Sequence, residues 1–288
     1  MLKGTSTALI TPFTNDKIDF DDLEKILEYQ LGGGVNALVV LGTTGEPSTL
    51  SVKEKISVVK FVVDRIKGKL PIIVGAGSNS TAQTIENGLL YTDLGADALL
   101  MVTPYYNKCT QNGLVAHFTK VAEKISLPII LYNVPSRTGV NMLPETFSTL
   151  AEIDNIVAIK EASGNMEQIQ NCIRLSKGKA EVVSGDDGLT VPIMAMGGTG
   201  VISVASNVLP KYLSTMTSRC LDGQLDTAVS MQLKLLPFIK ALFSEVNPIP
   251  VKKCAELLGL CSGDLRLPLT ELGEGNTAVL KAVLRDFI

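Results

Sequence analysis

One histidine in 288 residues restricts the chemistry of this chain more than anything else in its composition. A metal centre built on several imidazoles is excluded, and any carbon–carbon chemistry must find its electron sink elsewhere. Cysteine is sparse as well. The five thiols (109, 172, 220, 254 and 261) are odd in number and scattered, with no Cys-x-x-Cys pair, so no zinc site follows and they read as reduced side chains packed as small hydrophobes. No apolar run approaches the roughly 20 residues needed to span a bilayer, and Met1-Leu2-Lys3-Gly4-Thr5 lacks the apolar stretch of a signal peptide, so the expectation is a cytoplasmic protein. Lysine and arginine form no cluster and the net charge is −3, which leaves no electrostatic footprint for nucleic acid or for an anionic membrane. A small-molecule ligand is expected instead. His117 itself, in Leu114-Val115-Ala116-His117-Phe118, falls inside a helical pattern and is expected on a helix surface rather than in catalysis.

What is abundant is apolar sequence: 45% of residues are hydrophobic and 19% charged, enough for one large core. Short β-branched runs alternate with helical patterns from the N-terminus onward. Strands are expected at Thr5 to Thr11, Asn36 to Leu41, Pro71 to Val74, Ala98 to Val102, Pro128 to Tyr132, Ile156 to Lys160, Glu181 to Ser184 and Val201 to Ser203. Between them lie helices marked by Leu23, Ile26, Leu27 and Leu31, by a Ser51-x-x-Glu54 capping box, and by Leu114, Phe118, Val121 and Ile125. Eight strand-plus-helix units with short connections give a (β/α)8 TIM barrel in the α/β class, with a doubly wound open sheet as the alternative. From about Gln224 the pattern is helical only. The division expected is a barrel over 1–223 carrying the site and a C-terminal helical extension over 224–288.

Lys160 is the residue that needs explaining. It ends the run Ile156-Val157-Ala158-Ile159, which reads as a strand buried on both faces, and strand alternation puts it on the same face as Ala158, with Val157 and Ile159 on the other. An ammonium at the end of a dry strand is costly unless it is paired or gives up its proton. A lysine that can be neutral is a nucleophile, suited to a Schiff base with a carbonyl substrate. The bland alternative is a lysine that snorkels to solvent from the strand end.

The surroundings favour the first reading, because active sites of such barrels lie at the C-terminal ends of the strands. There the second strand ends in Thr43 and Thr44, the fourth in Tyr105 and Tyr106, the fifth in Tyr132 followed by Arg137, and the seventh in Gly185. With no histidine to move protons, tyrosine and threonine hydroxyls have to serve, and Tyr132 and Thr43 suit that role. Hydroxyls and backbone N–H groups after the second strand suit a keto-acid carboxylate, and Arg137 offers a fork for a second one. Gly197-Gly198-Thr199-Gly200 could cradle a phosphate, but it precedes the last strand, which favours a tight turn.

On Gly42-Thr43-Thr44-Gly45-Glu46, Tyr132-Asn133-Val134-Pro135-Ser136-Arg137-Thr138-Gly139 and Ile159-Lys160-Glu161-Ala162, the chain resembles the 4-hydroxy-tetrahydrodipicolinate synthase (dihydrodipicolinate synthase) family over essentially its whole length. That family sits among the pyruvate-dependent class I aldolases and lyases. Thr103-Pro104-Tyr105-Tyr106-Asn107 and Asn247-Pro248-Ile249-Pro250-Val251-Lys252 resemble the synthases more than their sisters, the sugar-acid enzymes of the N-acetylneuraminate lyase and 2-keto-3-deoxygluconate aldolase type, which stand as the alternative. The resemblance implies a lyase condensing pyruvate with L-aspartate 4-semialdehyde in the diaminopimelate route of lysine biosynthesis, without metal or organic cofactor. It implies that Lys160 forms the pyruvate imine and that Tyr132, Thr43 and Tyr106 relay protons, Tyr106 from a neighbouring subunit. Thr44 would hold the pyruvate carboxylate and Arg137 that of the semialdehyde, with Gly185 and Ile202 matching positions whose carbonyls face the site. A homotetramer, a dimer of dimers, is implied too.

Family members inhibited by lysine bind it at positions matching Ser48, Val52, Lys55, Asn79, Gln83 and Tyr105. Val52 and Lys55 stand where the sensitive form has histidines, and Gln83 where it has a glutamate. Lys55 repels an ammonium and Gln83 offers no charge to pair with it, so weak or absent lysine inhibition is expected.

Overall fold

A computed structural model describes residues 2–176 and 178–288. Eight parallel strands, β1 (Gly4–Ala8), β2 (Ala37–Val40), β3 (Ile72–Gly75), β4 (Ala98–Val102), β5 (Ile129–Asn133), β6 (Ile156–Glu161), β7 (Glu181–Ser184) and β8 (Gly200–Ser203), neighbour one another in chain order and close into a barrel. Closure is made by β8 on β1, from Gly4 opposite Gly200 to Thr7 opposite Ser203. An open doubly wound sheet would leave those two strands as edges, so that alternative is overturned and the (β/α)8 barrel stands.

Most of the strands read as apolar runs because both faces are covered, while β1, Gly4-Thr5-Ser6-Thr7-Ala8, buries hydroxyls instead, Thr7 donating to Gln30 Oε1 at 2.7 Å. Inward residues Ala8, Ala37, Val39, Ile73, Ala98, Leu100, Ile130, Tyr132, Ala158, Val183 and Ile202 fill the barrel. Their outward neighbours, such as Leu38, Val40, Ile72, Val74, Leu99, Leu131 and Ile159, pack on the helices. Helix α1 (Phe20–Gly33) is capped by Asp19 and stopped by Gly34 at φ 71°. Helix α2 (Val52–Ile66) opens on the full Ser51–Glu54 capping box. Helices α3 (Thr81–Asp93), α4 (Gln111–Ala122), α5 (Pro135–Thr138), α6 (Pro144–Leu150), α7 (Met166–Ser176), α8 (Thr190–Ala195) and α9 (Pro210–Leu221) follow. Gly197 adopts φ 108° and a Cβ on Gly198 would lie 2.6 Å from Ile193, so this glycine run is a tight turn between α8 and β8.

Three further helices, α10 (Leu225–Leu242), α11 (Ile249–Leu257) and α12 (Glu274–Leu284), complete the chain. α10 lies on α8 and α9, and its Gln232 accepts from Val191 N and donates to the Asp187 carbonyl. No helix among the described residues is long and apolar enough to cross a membrane.

Two local expectations are corrected. His117 is not on a helix surface: it is buried between α3 and α4, with Nδ1 2.9 Å from the Thr81 hydroxyl and its ring edge-on to Phe118. The reason is periodicity, since position 117 shares the apolar stripe of Leu114, Phe118 and Val121. Burial pulls its pKa below the ordinary histidine value. The second concerns Val157. A register shift between β5 and β6 pairs Ile129 with Ile156 but Ile130 with Ala158, so Val157 is the extra residue of a bulge and packs toward the barrel interior rather than sharing a face with Ile159. Cys172, Cys254 and Cys261 are buried in the core as expected, where burial raises the Cys254 thiol to about 12.

Candidate active site

The bulge decides where Lys160 points. Ile156, which opens β6, faces the outer core, and strict alternation from there would turn residue 160 outward as well. One extra residue at Val157 inverts the phase, so Ala158 and Lys160 face inward and Ile159 outward. Lys160 then pairs in register with Tyr132 of β5. Both side chains are buried, and Nζ lies 4.4 Å from the centroid of the Tyr132 ring. The ammonium therefore does not snorkel to solvent. Its aliphatic stem is confined from the β7 side: a Cβ on Gly185 would stand 3.1 Å from Lys160 Cε and 2.7 Å from the Ala162 Cβ.

On the outer side of the same strands, a polar lock holds this pair in place. Glu161, fully buried, accepts from Ser163 N at 2.7 Å, Asn133 Nδ2 at 3.0 Å and Gln168 Nε2 at 3.2 Å. Asn133 and Glu161 are the register pair next to Tyr132 and Lys160. Fixing one pair fixes the other, because neighbouring residues of a strand cannot shift independently.

Thr43 and Thr44 follow β2 in a 3-10 turn, Thr43–Gly45. Gly45 is closely packed there, since its Cβ would meet the Leu9 carbonyl at 3.2 Å, and its own carbonyl accepts from the Thr11 hydroxyl at 2.7 Å. Thr43, Tyr132 and Arg137 line one cavity of about 390 Å3, which extends outward past Ser48 and Lys55 to Tyr105. Thr44 is buried, and its hydroxyl oxygen accepts from Asn247 Nδ2 at 3.0 Å. Arg137, exposed at the end of α5, donates from Nη2 to the Asn247 carbonyl at 3.1 Å. Ile202 contributes its side chain to the inner cluster.

Lys160, Tyr132, Gly185, Thr43, Thr44 and Arg137 are thus gathered at one end of the barrel. Tyr106 is not gathered with them: it is 90% exposed and its backbone adopts φ 69°. Asn247, which joins Thr44 to Arg137, was not singled out as a site residue by the sequence. Nor was the buried pair of Glu46 and Lys252, 2.6 Å apart behind the Thr43–Gly45 turn. A signal for both existed in Asn247-Pro248-Ile249-Pro250-Val251-Lys252, where polar residues flank an apolar run. Among the described residues no group of three or more His, Cys, Asp or Glu side chains is placed to hold a metal ion.

An arrangement of this kind can hold a carbonyl compound covalently. A confined amine beside a phenol supplies the nucleophile and a proton carrier, while hydroxyls and a guanidinium at the rim suit carboxylates. The sequence matches the dihydrodipicolinate synthetase family over residues 1–286. The 4-hydroxy-tetrahydrodipicolinate synthase of Geobacter sulfurreducens is 48% identical over 287 residues, covering 100% of this chain and 99% of that protein. The crystal structure of the chloride-inhibited dihydrodipicolinate synthase from Acinetobacter baumannii, complexed with pyruvate, superposes with a TM-score of 0.98 at 42% identity, covering 100% of both chains. A monomeric dihydrodipicolinate synthase variant, characterised as the first of its kind, is similar at a TM-score of 0.98 and 43% identity, covering 100% of this chain and 98% of that one. Fold and sequence agree over the full length, and the chain belongs to the dihydrodipicolinate synthetase family.

Proposed function

We propose that this chain catalyses the 4-hydroxy-tetrahydrodipicolinate synthase reaction by way of an imine between Lys160 and pyruvate. The Lys160 amine adds to the keto carbon, water leaves, and the imine draws electrons from the methyl carbon, which loses a proton to give an enamine. That carbon attacks the aldehyde of L-aspartate 4-semialdehyde, the electron pair of the new bond coming from the enamine and a proton going to the aldehyde oxygen; the semialdehyde's amino group then adds to the imine carbon and the Lys160 amine leaves, which closes the ring and frees the enzyme. The imine nitrogen is the electron sink, so the reaction so read calls for no metal or organic cofactor.

Tyr132 and Thr43, on the wall of one cavity, are the proton carriers in this reading. Thr44 and its turn take the pyruvate carboxylate, Arg137 takes that of the semialdehyde, and the carbonyls of Gly185 and Ile202 face the reacting carbons. Tyr106 joins the relay from a second subunit of a homotetramer. Its exposure and positive φ support this, since a tyrosine held at positive φ costs about 1–3 kcal/mol and such strain concentrates at functional sites. That a monomeric form of a relative is set apart as a variant supports assembly as the ordinary state.

The observation that carries the reading is the buried Lys160 amine held against the Tyr132 ring by strand register. Borohydride treatment in the presence of pyruvate, followed by peptide mass mapping, tests it. The reduced three-carbon adduct is expected on Lys160; an adduct on another lysine, or none, overturns the assignment.

A further inference from the structure

We propose that Glu46 and Lys252 are a positioning pair, an ion pair by which the C-terminal helices set the direction in which Thr43 and Thr44 present their hydroxyls. The proposal rests on the functional reading above.

Glu46 is the joint between two 3-10 turns, Thr43–Gly45 and Pro47–Thr49, and it makes that joint at φ 53°, ψ 43°. A side chain with a Cβ is disfavoured there, and glycine would form the bend more easily. The glutamate is accounted for by its side chain, not by its backbone. The carboxylate is buried and lies 2.6 Å from Lys252 Nζ on α11, which is itself buried. Lys252 is held on its other sides, donating to the Asp264 carbonyl at 2.6 Å and sitting 4.0 Å from the centroid of the Phe13 ring. Burial lowers the Lys252 pKa and the Glu46 carboxylate opposes that fall. Buried pairs of this kind are weak sources of stability, because desolvation offsets their attraction, and their best-attested use is to fix register.

What the pair registers is the turn next to it. The Glu46 N–H donates to the Thr43 carbonyl at 3.2 Å, so the direction of the joint and the direction of Thr43 are set together. Five residues before Lys252 along the same segment, Asn247 donates to the Thr44 hydroxyl. The segment leading into α11 therefore grips the turn at two points, one on either side of Gly45. Neither Glu46 nor Lys252 needs to touch substrate for this; they act through Thr43 and Thr44.

The test uses the full chain carrying Glu46→Gln with Lys252→Met, and in parallel Glu46→Gly with Lys252→Met. Both double variants remove the two charges together, leaving no unpaired buried ion, and the glycine also relieves the strained joint. Thermal unfolding, borohydride trapping of the pyruvate adduct, and kcat and KM for each substrate are measured. Both variants are expected to fold with parental melting temperature while the KM for pyruvate rises about tenfold, since small misplacements of binding groups carry costs of that order or more. Parental kcat and KM for pyruvate in a folded double variant overturn the proposal. Failure of both variants to fold overturns it too, since the pair would then be needed for the structure itself. The functional reading fails separately, if the parent protein forms no adduct on Lys160.

Discussion

Replacing Gly185 by alanine tests how tightly Lys160 is confined. Gly185 is not at positive φ, so the backbone accepts alanine and the whole effect is one of space. The new Cβ would lie 2.7 Å from the Ala162 Cβ, against an optimum for carbon pairs of about 3.5–4.0 Å. A shortfall of roughly 1 Å must be taken up by the ends of β6 and β7, and the neighbours in the way are the Glu161 carbonyl and Lys160 Cε, each at 3.1 Å. Overpacking of this kind costs about 1–3 kcal/mol of stability. Its effect on rate should be larger than its effect on the fold, because misplacing a reacting group by about 1 Å lowers the rate by about 10²-fold. The assay compares steady-state turnover at saturating pyruvate with the rate of borohydride-trapped adduct formation on Lys160. Both should fall by about 10²-fold, close to 2.7 kcal/mol of barrier, in a protein that still melts cooperatively. Adding Ala162→Gly removes the nearest contact and should return part of the rate. A Gly185→Ala enzyme that turns over within about twofold of the parent refutes the steric argument, since a displaced amine cannot be that fast.

Lysine should inhibit weakly if at all: Lys55 lines the cavity as a cation, and the Gln83 amide is spent on Asn87 Oδ1 at 3.1 Å, so a titration reaching half-inhibition at sub-millimolar lysine would sink this expectation. The Glu54 carboxyl, held by Arg266 and then by its own capping box, titrates at about 2 instead of its ordinary 4.5. A depressed acid stabilises the fold above its unfolded pKa and loses that contribution as pH falls through the folded one. Acid unfolding should therefore show the parent more stable than Glu54→Gln at neutral pH and the gap closing between pH 4.5 and about 2; a gap that stays constant over that range contradicts the assignment.

The parts of this molecule that sequence makes legible are those carried by period and by local chemistry. The strand-like runs and the capping box at Ser51 each depend on residues a few positions apart, and they fall where they are expected, save that the first strand ends at Ala8 and not at Thr11. Lys160 is legible for the same reason, as one charge at the end of a dry run. The bulge at Val157 is not, because nothing in Ile156-Val157-Ala158-Ile159-Lys160 distinguishes a strand of unbroken alternation from one with an extra residue. The bulge leaves Ala158 and Lys160 on one face, as alternation predicts, and displaces only Val157 from the face of Ile159. His117 shows the converse: its helical pattern was visible, but the same pattern that makes a helix also places position 117 on the buried stripe. The partners that Asn247 and Lys252 find lie beyond any local argument. The two residues meet Thr44 and Glu46 across separations of about 200 residues, a distance that only the closed barrel collapses. Their segment belongs to the helices that follow the barrel, and its side chains reach back to Thr44 and Glu46. A lysine flanked by Val251 and Cys254 on the buried face of an amphipathic helix has to find a carboxylate or lose its charge, and Glu46 is the carboxylate that meets it.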